Sequence, residues 1–156
     1  MSKKFNNPVH KYRVIDGDTV KVCIDLGFGL TLGNPDKDRT WYSIRLNGID
    51  SPESRTKAVT EKKAGKIVGR AVSAWILGVE AAGEALMAHS VEIDDKYNKR
   101  FLGDLYALDT DRSLVDYLVE HNLVRPYAGG TKAEWSPDEL AHIINWGEEH
   151  LPDTED

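Results

Sequence analysis

The alternation of hydrophobic and polar residues predicts two strands in the first third of the chain. Residues 9–24 read as one strand, bent or bulged where the Asp-Gly-Asp sequence at 16–18 interrupts the apolar run. Residues 41–49 alternate over their whole length and predict a second strand, which ends where Pro52 forces a turn. The glycines and proline between residues 26 and 39 predict an extended hairpin connection.

Three later segments have the features of helices. Apolar residues recur at intervals of three and four over residues 60–77, and the alanine- and glycine-rich stretch 78–88 prolongs this helix or adds a turn. A serine at 113 is expected to cap a helix over residues 113–121. A serine followed by proline begins the last predicted helix, which covers residues 136–149.

The order of elements indicates one α+β domain in which a helix is inserted between strands. Residues 90–94 and 101–108 are the predicted strands that follow the first helix. The domain is expected to cover residues 9–151, with an N-terminal tail over residues 1–8 and a frayed C-terminal tail over residues 152–156.

Composition agrees with an ordinary globular protein. Of the 156 residues, 40% are hydrophobic and 29% are charged, which argues against a disordered or fibrous chain. Cys23 is the single cysteine, so it has no disulfide partner within the chain, and we expect it to pack in its strand. No apolar run approaches the ~20 residues that span a bilayer, and the N-terminus does not resemble a signal peptide. These features predict a soluble, intracellular protein, expected to be monomeric, with no membrane partner.

The net charge of −6 is unevenly distributed along the chain. Residues 1–103 contain 17 Lys and Arg against 13 Asp and Glu, whereas residues 104–156 contain 3 against 13. The most basic window runs from Arg55 to Arg70, where six basic residues accompany only Glu61. A solvated helix face is the usual interpretation of such a run. A basic front half is also compatible with a polyanionic substrate.

Acids and an arginine are concentrated at the ends of the two N-terminal strands. Asp16 and Asp18 interrupt the first strand, Arg45 lies within the second, and Asp50 and Glu53 follow it. Carboxylate and carbonyl oxygens suit a hard cation such as calcium or magnesium, and an arginine fork suits a phosphate. Two ordinary turns would explain the same residues, so spacing alone leaves both interpretations open.

The literal sequences at these positions resemble the staphylococcal nuclease (thermonuclease) family. The matching strings are IDGDTV at residues 15–20 and IRLNGIDSPE at residues 44–53. The resemblance continues through Lys96-Tyr97 and Arg100 and then from Leu114 to Tyr127, and it spans about 120 residues, from Val9 to Ala128. Asn98 and Lys99 lengthen the loop by one residue relative to the family, so either Lys99 or Arg100 could be its second phosphate-binding cation.

The resemblance implies a fold and an activity. The fold would be a five-stranded OB-fold β-barrel with about three packed helices, which binds nucleic acid on its strand face. The activity would be calcium-dependent hydrolysis of DNA and RNA at the 5′-oxygen–phosphorus bond, leaving 3′-phosphates. Magnesium or another dication could replace the calcium ion. Cytosol is poor in free calcium, which is unfavourable for a calcium-dependent enzyme without a signal peptide. The sequence is therefore compatible with a cytoplasmic enzyme and with a phage-encoded one.

The resemblance also assigns roles around one divalent cation. Asp18, Asp50 and the Ser51 carbonyl would ligate the metal, and Asp16 would stand in its outer coordination shell. Glu53 would orient or deprotonate the attacking water.

Further residues would contact the substrate. Arg45 and Arg100 would grip the scissile phosphate, Lys96 and Tyr97 would hold a neighbouring phosphate, and Tyr127 would stack on a base. The four tryptophans are instead expected in the core.

Two alternatives belong to other classes of protein. A non-catalytic nucleic-acid-binding module of the same family would retain the barrel without the activity. A small calcium-dependent regulatory domain would leave Arg45 and Glu53 without a role. The complete set of charged residues favours the nuclease.

Overall fold

Eight strands and three α-helices make up residues 5–93 and 99–153, the part of the chain that the structure, a computed structural model, describes. The strands are β1 (Asn6–Asp16), β2 (Thr19–Gly27), β3 (Leu30–Leu32), β4 (Tyr42–Leu46), β5 (Ile49–Asp50), β6 (Leu86–Ile93), β7 (Arg100–Ala107) and β8 (Arg125–Pro126). The helices are α1 (Val59–Ala81), α2 (Leu114–Glu120) and α3 (Pro137–His150), and a single 3₁₀ turn covers Asp38–Thr40. The predicted α+β class with three helices is confirmed.

Five of the strands pair into a closed ring. β1 pairs with β2 and β6, β6 pairs with β7, and β4 joins β7 to β2. The β4–β7 pair is parallel, and the other pairs in the ring are antiparallel. Arg45 of β4 faces Thr19 on one side and Leu102 on the other. This register sets Arg45 between the β1–β2 turn and the beginning of β7.

The prediction of one bent strand over residues 9–24 is wrong, because the chain reverses at residues 17 and 18. β1 and β2 form an antiparallel hairpin in which Val14 faces Val20. The Asp16 side chain accepts a hydrogen bond from the Asp18 amide at 3.1 Å, which is the local bond of an Asx turn. Alternation has a period of two in both strands and therefore does not reveal a reversal between them.

The remaining differences are at element ends. β1 begins at Asn6, so residues 6–8 of the predicted tail belong to the sheet. α1 continues to Ala81, and β6 begins at Leu86, inside the stretch 78–88 that was expected to prolong the helix or add a turn. The strands β3, β5 and β8 have only two or three residues each and left no recognisable pattern.

Both predicted serine caps are confirmed. The Ser113 hydroxyl accepts a hydrogen bond from the Asp116 amide at 3.2 Å. Ser136 and Glu139 form a reciprocal capping box, with bonds of 3.1 and 2.9 Å, at the beginning of α3. These bonds satisfy amide groups that a helix leaves unpaired at its first turn.

The core lies between the ring and α1. The buried face of α1 has the predicted spacing of three and four and consists of Ala64, Gly65, Ile67, Val68, Ala71, Val72, Trp75, Ile76 and Val79. α3 packs on the outside of α1, where Gly147 approaches Ile67 so closely that a methyl group would lie 2.7 Å from it. Cys23 is buried in β2 and forms no disulfide.

The tryptophans largely follow the expectation of a core position. Trp41, Trp75 and Trp146 are buried. Trp135 is half-buried and lies under the guanidinium of Arg125, 4.1 Å from the ring centre. Among the described helices, none combines the length and the apolar composition required to traverse a lipid bilayer.

Candidate active site

Four of the predicted site residues form one buried charged cluster. A terminal guanidinium nitrogen of Arg45 lies 3.5 Å from Asp18 Oδ2 and 4.0 Å from Asp50 Oδ1. The Ser51 amide donates to Asp18 Oδ2 at 3.5 Å. Asp18, Arg45, Asp50 and Ser51 are only 9, 7, 2 and 4% exposed. Two carboxylates are therefore directed at one guanidinium in a poorly hydrated pocket, where charge interactions are strong.

Short-range features of the sequence bring the cluster together. The turn between β1 and β2 holds Asp18, whose carbonyl accepts the Leu46 amide at 2.8 Å. The chain turns at Gly48, whose φ of +80° suits glycine, and enters β5, which pairs with β8 and ends at Asp50. Asp50 and Asp18 thereby approach the same guanidinium, that of Arg45.

Asp16 and Asp18 form a coupled pair at the hairpin turn. Burial, hydrogen bonding with Asp18 and the negative charges of Asp18 and Glu53 raise the pKa of Asp16 to about 7. Burial also disfavours the charged form of Asp18. The effect of burial is outweighed by the hydrogen bond from Asp16, the charge of Arg45 and a 3.0 Å bond from the Thr19 hydroxyl. The Asp18 pKa therefore stays below its ordinary value. The pair thus keeps a proton on Asp16 and the negative charge on Asp18 at slightly acidic pH.

Two cations that the sequence analysis missed also bind Asp50. Lys132 Nζ lies 3.1 Å from Asp50 Oδ1, and a guanidinium nitrogen of Arg125 lies 3.3 Å from Oδ2. The pairing of β5 with β8 sets Arg125 opposite Asp50. Arg125 also donates to the carbonyls of Ala133 and Glu134. Arg125 therefore ties the loop that follows β8 to the site.

Glu53 lies at the exposed edge of the cluster, on the Asp16 side. Its backbone amide donates to Glu61 Oε2 at 2.9 Å. α1 approaches this segment closely at Gly65, where a methyl group would lie 2.7 Å from the Pro52 carbonyl oxygen. The helix therefore sets the position of the Glu53 backbone, while the side chain stays accessible to water.

A groove of about 790 Å³, here called the strand groove, opens beside the cluster. Arg45, Arg100, Tyr127 and Lys132 line it, together with the carboxylate of Glu92. Lys132 Nζ lies 5.3 Å from the Tyr127 ring centre, and the Tyr127 hydroxyl donates to the Gly130 carbonyl at 2.7 Å. The groove thus combines three cations with one half-buried aromatic ring.

Lys99 and Arg100, the two candidates for the second phosphate-binding cation, differ in position. Arg100 lines the strand groove, whereas Lys99 is exposed and is not among the lining residues. The backbone φ of Lys99 is +58°, and its carbonyl accepts the Ser43 amide at 2.8 Å. Lys96 and Tyr97 lie outside the described residues.

Asp18 and Asp50 offer hard oxygen atoms as possible metal ligands, but few such side chains lie together. Among residues 5–93 and 99–153, no three His, Cys, Asp or Glu side chains are grouped so that they could hold one metal ion. Asp18 and Asp50 are nonetheless directed at one positively charged point, and Asp50 contacts three cationic side chains. Carboxylate oxygens are the ligands that hard divalent cations prefer, so these two side chains are the ones such an ion would use here.

A scan of the sequence against models of protein families finds no match, and no curated protein is significantly similar to it.

Proposed function

We propose that the protein is a metal-dependent phosphodiesterase that hydrolyses DNA or RNA at the 5′-oxygen–phosphorus bond and leaves 3′-phosphates. The observation that carries this proposal is the buried Arg45, held between Asp18 and Asp50 at a groove that also contains Arg100 and Lys132. A phosphodiester is an anion and resists an anionic nucleophile. Cations and dipoles fixed around its oxygens therefore lower the barrier.

The same proposal includes the fold. We infer that the closed ring is an OB-fold barrel, since it has five strands and a long helix, α1, between its third and fourth strands in chain order. The strand groove lies on β4 and β7 and on the loop after β8. A strand face of this kind is the usual position of nucleic acid on such a barrel.

Arg45 and Arg100 bind the scissile phosphate in this account. An arginine stays charged at every working pH, and its planar fork matches two phosphate oxygens. Arg45 is held in place by Asp18, by Asp50 and by a 2.9 Å hydrogen bond to the Leu46 carbonyl. This bracing orients the guanidinium before substrate arrives, so less ordering is needed on binding.

Asp18, Asp50 and the Ser51 carbonyl would hold the dication. When bound, such an ion stabilises charge on the phosphoryl oxygens and lowers the pKa of water. The lowered pKa of Asp18 favours its charged form, and Asp50 already contacts three cationic side chains, so both carboxylates are suited to a cation.

Glu53 acts as the general base in the proposed reaction. It is exposed to water at the edge of the cluster, and its backbone is fixed against α1. A positioned carboxylate base typically supplies about 10²–10⁴ in rate. Asp16 is hydrogen-bonded to Asp18, and the negative charge of Glu53 contributes to the raised pKa of Asp16.

A second candidate is a non-catalytic nucleic-acid-binding module with the same groove. It is favoured by the absence, within the described ranges, of three acidic or imidazole side chains grouped for a metal. Such a module would need the cations and Tyr127 but not Glu53.

Digestion of single-stranded DNA distinguishes the two candidates. Wild-type protein is incubated with calcium, with magnesium or with chelator, beside Asp18→Ala and, as a matched control, Asp36→Ala at an exposed turn. The nuclease proposal predicts cleavage that needs a dication, fails in Asp18→Ala and survives in Asp36→Ala. DNA binding without cleavage under any condition would support the binding module instead.

A further inference from the structure

The proposed reaction leaves the basic window of the sequence without a role. Its six cations are Arg55, Lys57, Lys62, Lys63, Lys66 and Arg70, and most of them belong to the first half of α1. The apolar face of α1 is turned to the core, so Lys62, Lys63 and Lys66 are exposed. If these cations faced open solvent, a solvated helix face would be enough to explain them.

Four of these cations instead line one depression. Arg55, Lys63, Lys66 and Arg70 lie along a groove of about 880 Å³, here called the helix groove. It is bounded by α1, by the end of β1 and by residues 147–153 at the end of the chain. The basic window therefore faces a concave surface, as a site for a chain-like ligand requires.

The helix groove begins at the proposed active site. Asp16 lines it, as do Ser54 and Arg55, which directly follow Glu53. The helix groove and the strand groove share no lining residue. The cluster around Arg45 thus stands between two grooves that both contain cations.

The cations of the helix groove are available to a ligand. Within the described parts of the chain, no carboxylate lies within 4.0 Å of the charged atoms of Arg55, Lys63 or Lys66. Arg70 differs, because it donates to the Pro152 carbonyl and anchors the C-terminal segment. Glu148 and Asp153 line the opposite wall, so a polyanion would follow the α1 side.

We propose that the helix groove binds backbone phosphates of the same polynucleotide whose scissile phosphate lies at Arg45. The inference rests on the proposed function for the identity of the ligand, and it adds that the substrate is a polymer of several nucleotides. Arg55, Lys63 and Lys66 make these contacts, and Arg70 fixes the wall of the groove. A dinucleotide reaches only the strand groove and gains nothing from the three cations.

The salt dependence of DNA binding tests this inference. The test protein is Arg55→Gln/Lys63→Gln/Lys66→Gln. The matched control, Lys11→Gln/Lys37→Gln/Arg39→Gln, removes the same charge around the turn at residues 36–39. Fluorescence anisotropy with a labelled single-stranded 20-mer and a labelled dinucleotide, in chelator to prevent cleavage, gives affinity at several salt concentrations.

The expected result concerns the 20-mer alone. Each single-strand phosphate contact contributes about 0.7 to the slope of log affinity against log salt, so three lost contacts reduce the slope by about 2. The helix-groove variant should show this smaller slope and at least roughly tenfold weaker binding in low salt. The control should keep the wild-type slope, and dinucleotide binding should be the same in all three proteins.

The outcomes separate this inference from the proposed activity. A wild-type slope in the helix-groove variant, or an equal loss in the control, would overturn the inference even if the protein cleaves DNA. If the slopes are as expected but the protein never cleaves DNA, the result would support phosphate binding in the helix groove and contradict the proposed nuclease activity. Failure of the wild-type protein to bind the 20-mer would overturn the inference as well.

Discussion

The ammonium group of Lys132 lies 3.1 Å from a carboxylate oxygen of Asp50, a residue that is only 2% exposed. A cationic side chain therefore contacts a proposed metal ligand directly. Lys132 lies in the loop after β8 and also lines the strand groove. A metal ion bound at Asp50 would therefore compete with Lys132, and Lys132 can bind phosphate in the strand groove.

Removal of this lysine should strengthen metal binding. We expect Lys132→Gln to bind calcium roughly tenfold more tightly, a difference of about 1.4 kcal/mol, because a competing positive charge is lost from Asp50. Titration calorimetry of the metal-free protein measures the affinity, with Lys132→Arg as the charge-retaining control. Equal or weaker calcium binding by Lys132→Gln would show that the lysine does not compete with the ion.

Substitution of the proposed base should affect turnover more than binding. Glu53→Gln is expected to lose about 10²–10⁴ in cleavage rate, with oligonucleotide affinity nearly unchanged, because the side chain acts on water rather than on phosphate. Single-turnover cleavage and anisotropy measure the two quantities. Glu120→Gln, on an exposed position of α2, is the control. An unimpaired Glu53→Gln protein would remove Glu53 from the mechanism.

The second phosphate-binding cation should be Arg100 and not Lys99. Arg100 lines the strand groove with Arg45, whereas Lys99 is exposed outside it. We expect Arg100→Ala to lose most cleavage activity and Lys99→Ala to retain it, measured under the same conditions. The opposite ranking would mean that the motif has been aligned one residue out of place.

Two glycines of one helix should respond in opposite ways. A methyl group at Gly65 would lie 2.7 Å from the Pro52 carbonyl and 2.8 Å from the Glu53 backbone, whereas Gly78 has open space around it. Gly65→Ala should displace the Glu53 segment and lower both thermal stability and cleavage. Gly78→Ala should stabilise the helix by about 0.5–1 kcal/mol and leave cleavage unchanged. Equal behaviour of the two variants would contradict the close packing at Gly65.

Asp104 should make the protein less stable as the pH rises. Burial raises the Asp104 pKa to about 6, although hydrogen bonds from Ser113, Val115 and Leu105 act in the opposite direction. The folded protein therefore holds this proton more tightly than the unfolded chain does. Its stabilising effect is complete below the unfolded pKa of about 3.9 and is lost as the pH rises through about 6.

Asp104→Asn removes that pH dependence and keeps the two backbone bonds, because the amide oxygen can accept from Leu105 and Val115, while the amide nitrogen donates to the Ser113 hydroxyl instead of accepting from it. Denaturant unfolding should show that the free energy of unfolding of the variant, relative to that of the wild type, increases by on the order of 2–3 kcal/mol from pH 4 to pH 8. Asp16 titrates in both proteins and cancels in the difference. Asp109→Asn, at an exposed position, is the control. Parallel pH profiles of wild type and Asp104→Asn would contradict the raised pKa.

The sequence predicts those elements that bury a periodic face or carry a cap. The spacing over residues 60–77 indicated α1, and serines 113 and 136 marked the beginnings of α2 and α3. The hairpin at residues 17 and 18 was missed because alternation continues unchanged through a tight reversal. Its cause is an Asx-turn bond from the Asp18 amide to the Asp16 side chain.

Part of the candidate site could be predicted for a related reason. Asp18 directly precedes β2 and Arg45 lies on β4, the strand that pairs with β2, while Asp50 follows Arg45 by five residues, so two compact strings contain all three residues. Arg125 and Lys132 reach Asp50 through the pairing of β5 with β8, each only two residues long. Strands this short have no detectable period, and the contact joins residues 75 or more positions apart in the sequence.

The ends of the cleavage products test the central claim most directly. A single-stranded DNA 20-mer is digested by the wild-type protein with calcium, and the fragments are identified by mass spectrometry. The account predicts fragments that carry a 3′-phosphate and a 5′-hydroxyl, and none in chelator. Fragments with a 5′-phosphate and a 3′-hydroxyl, or an intact 20-mer with every dication, would contradict it.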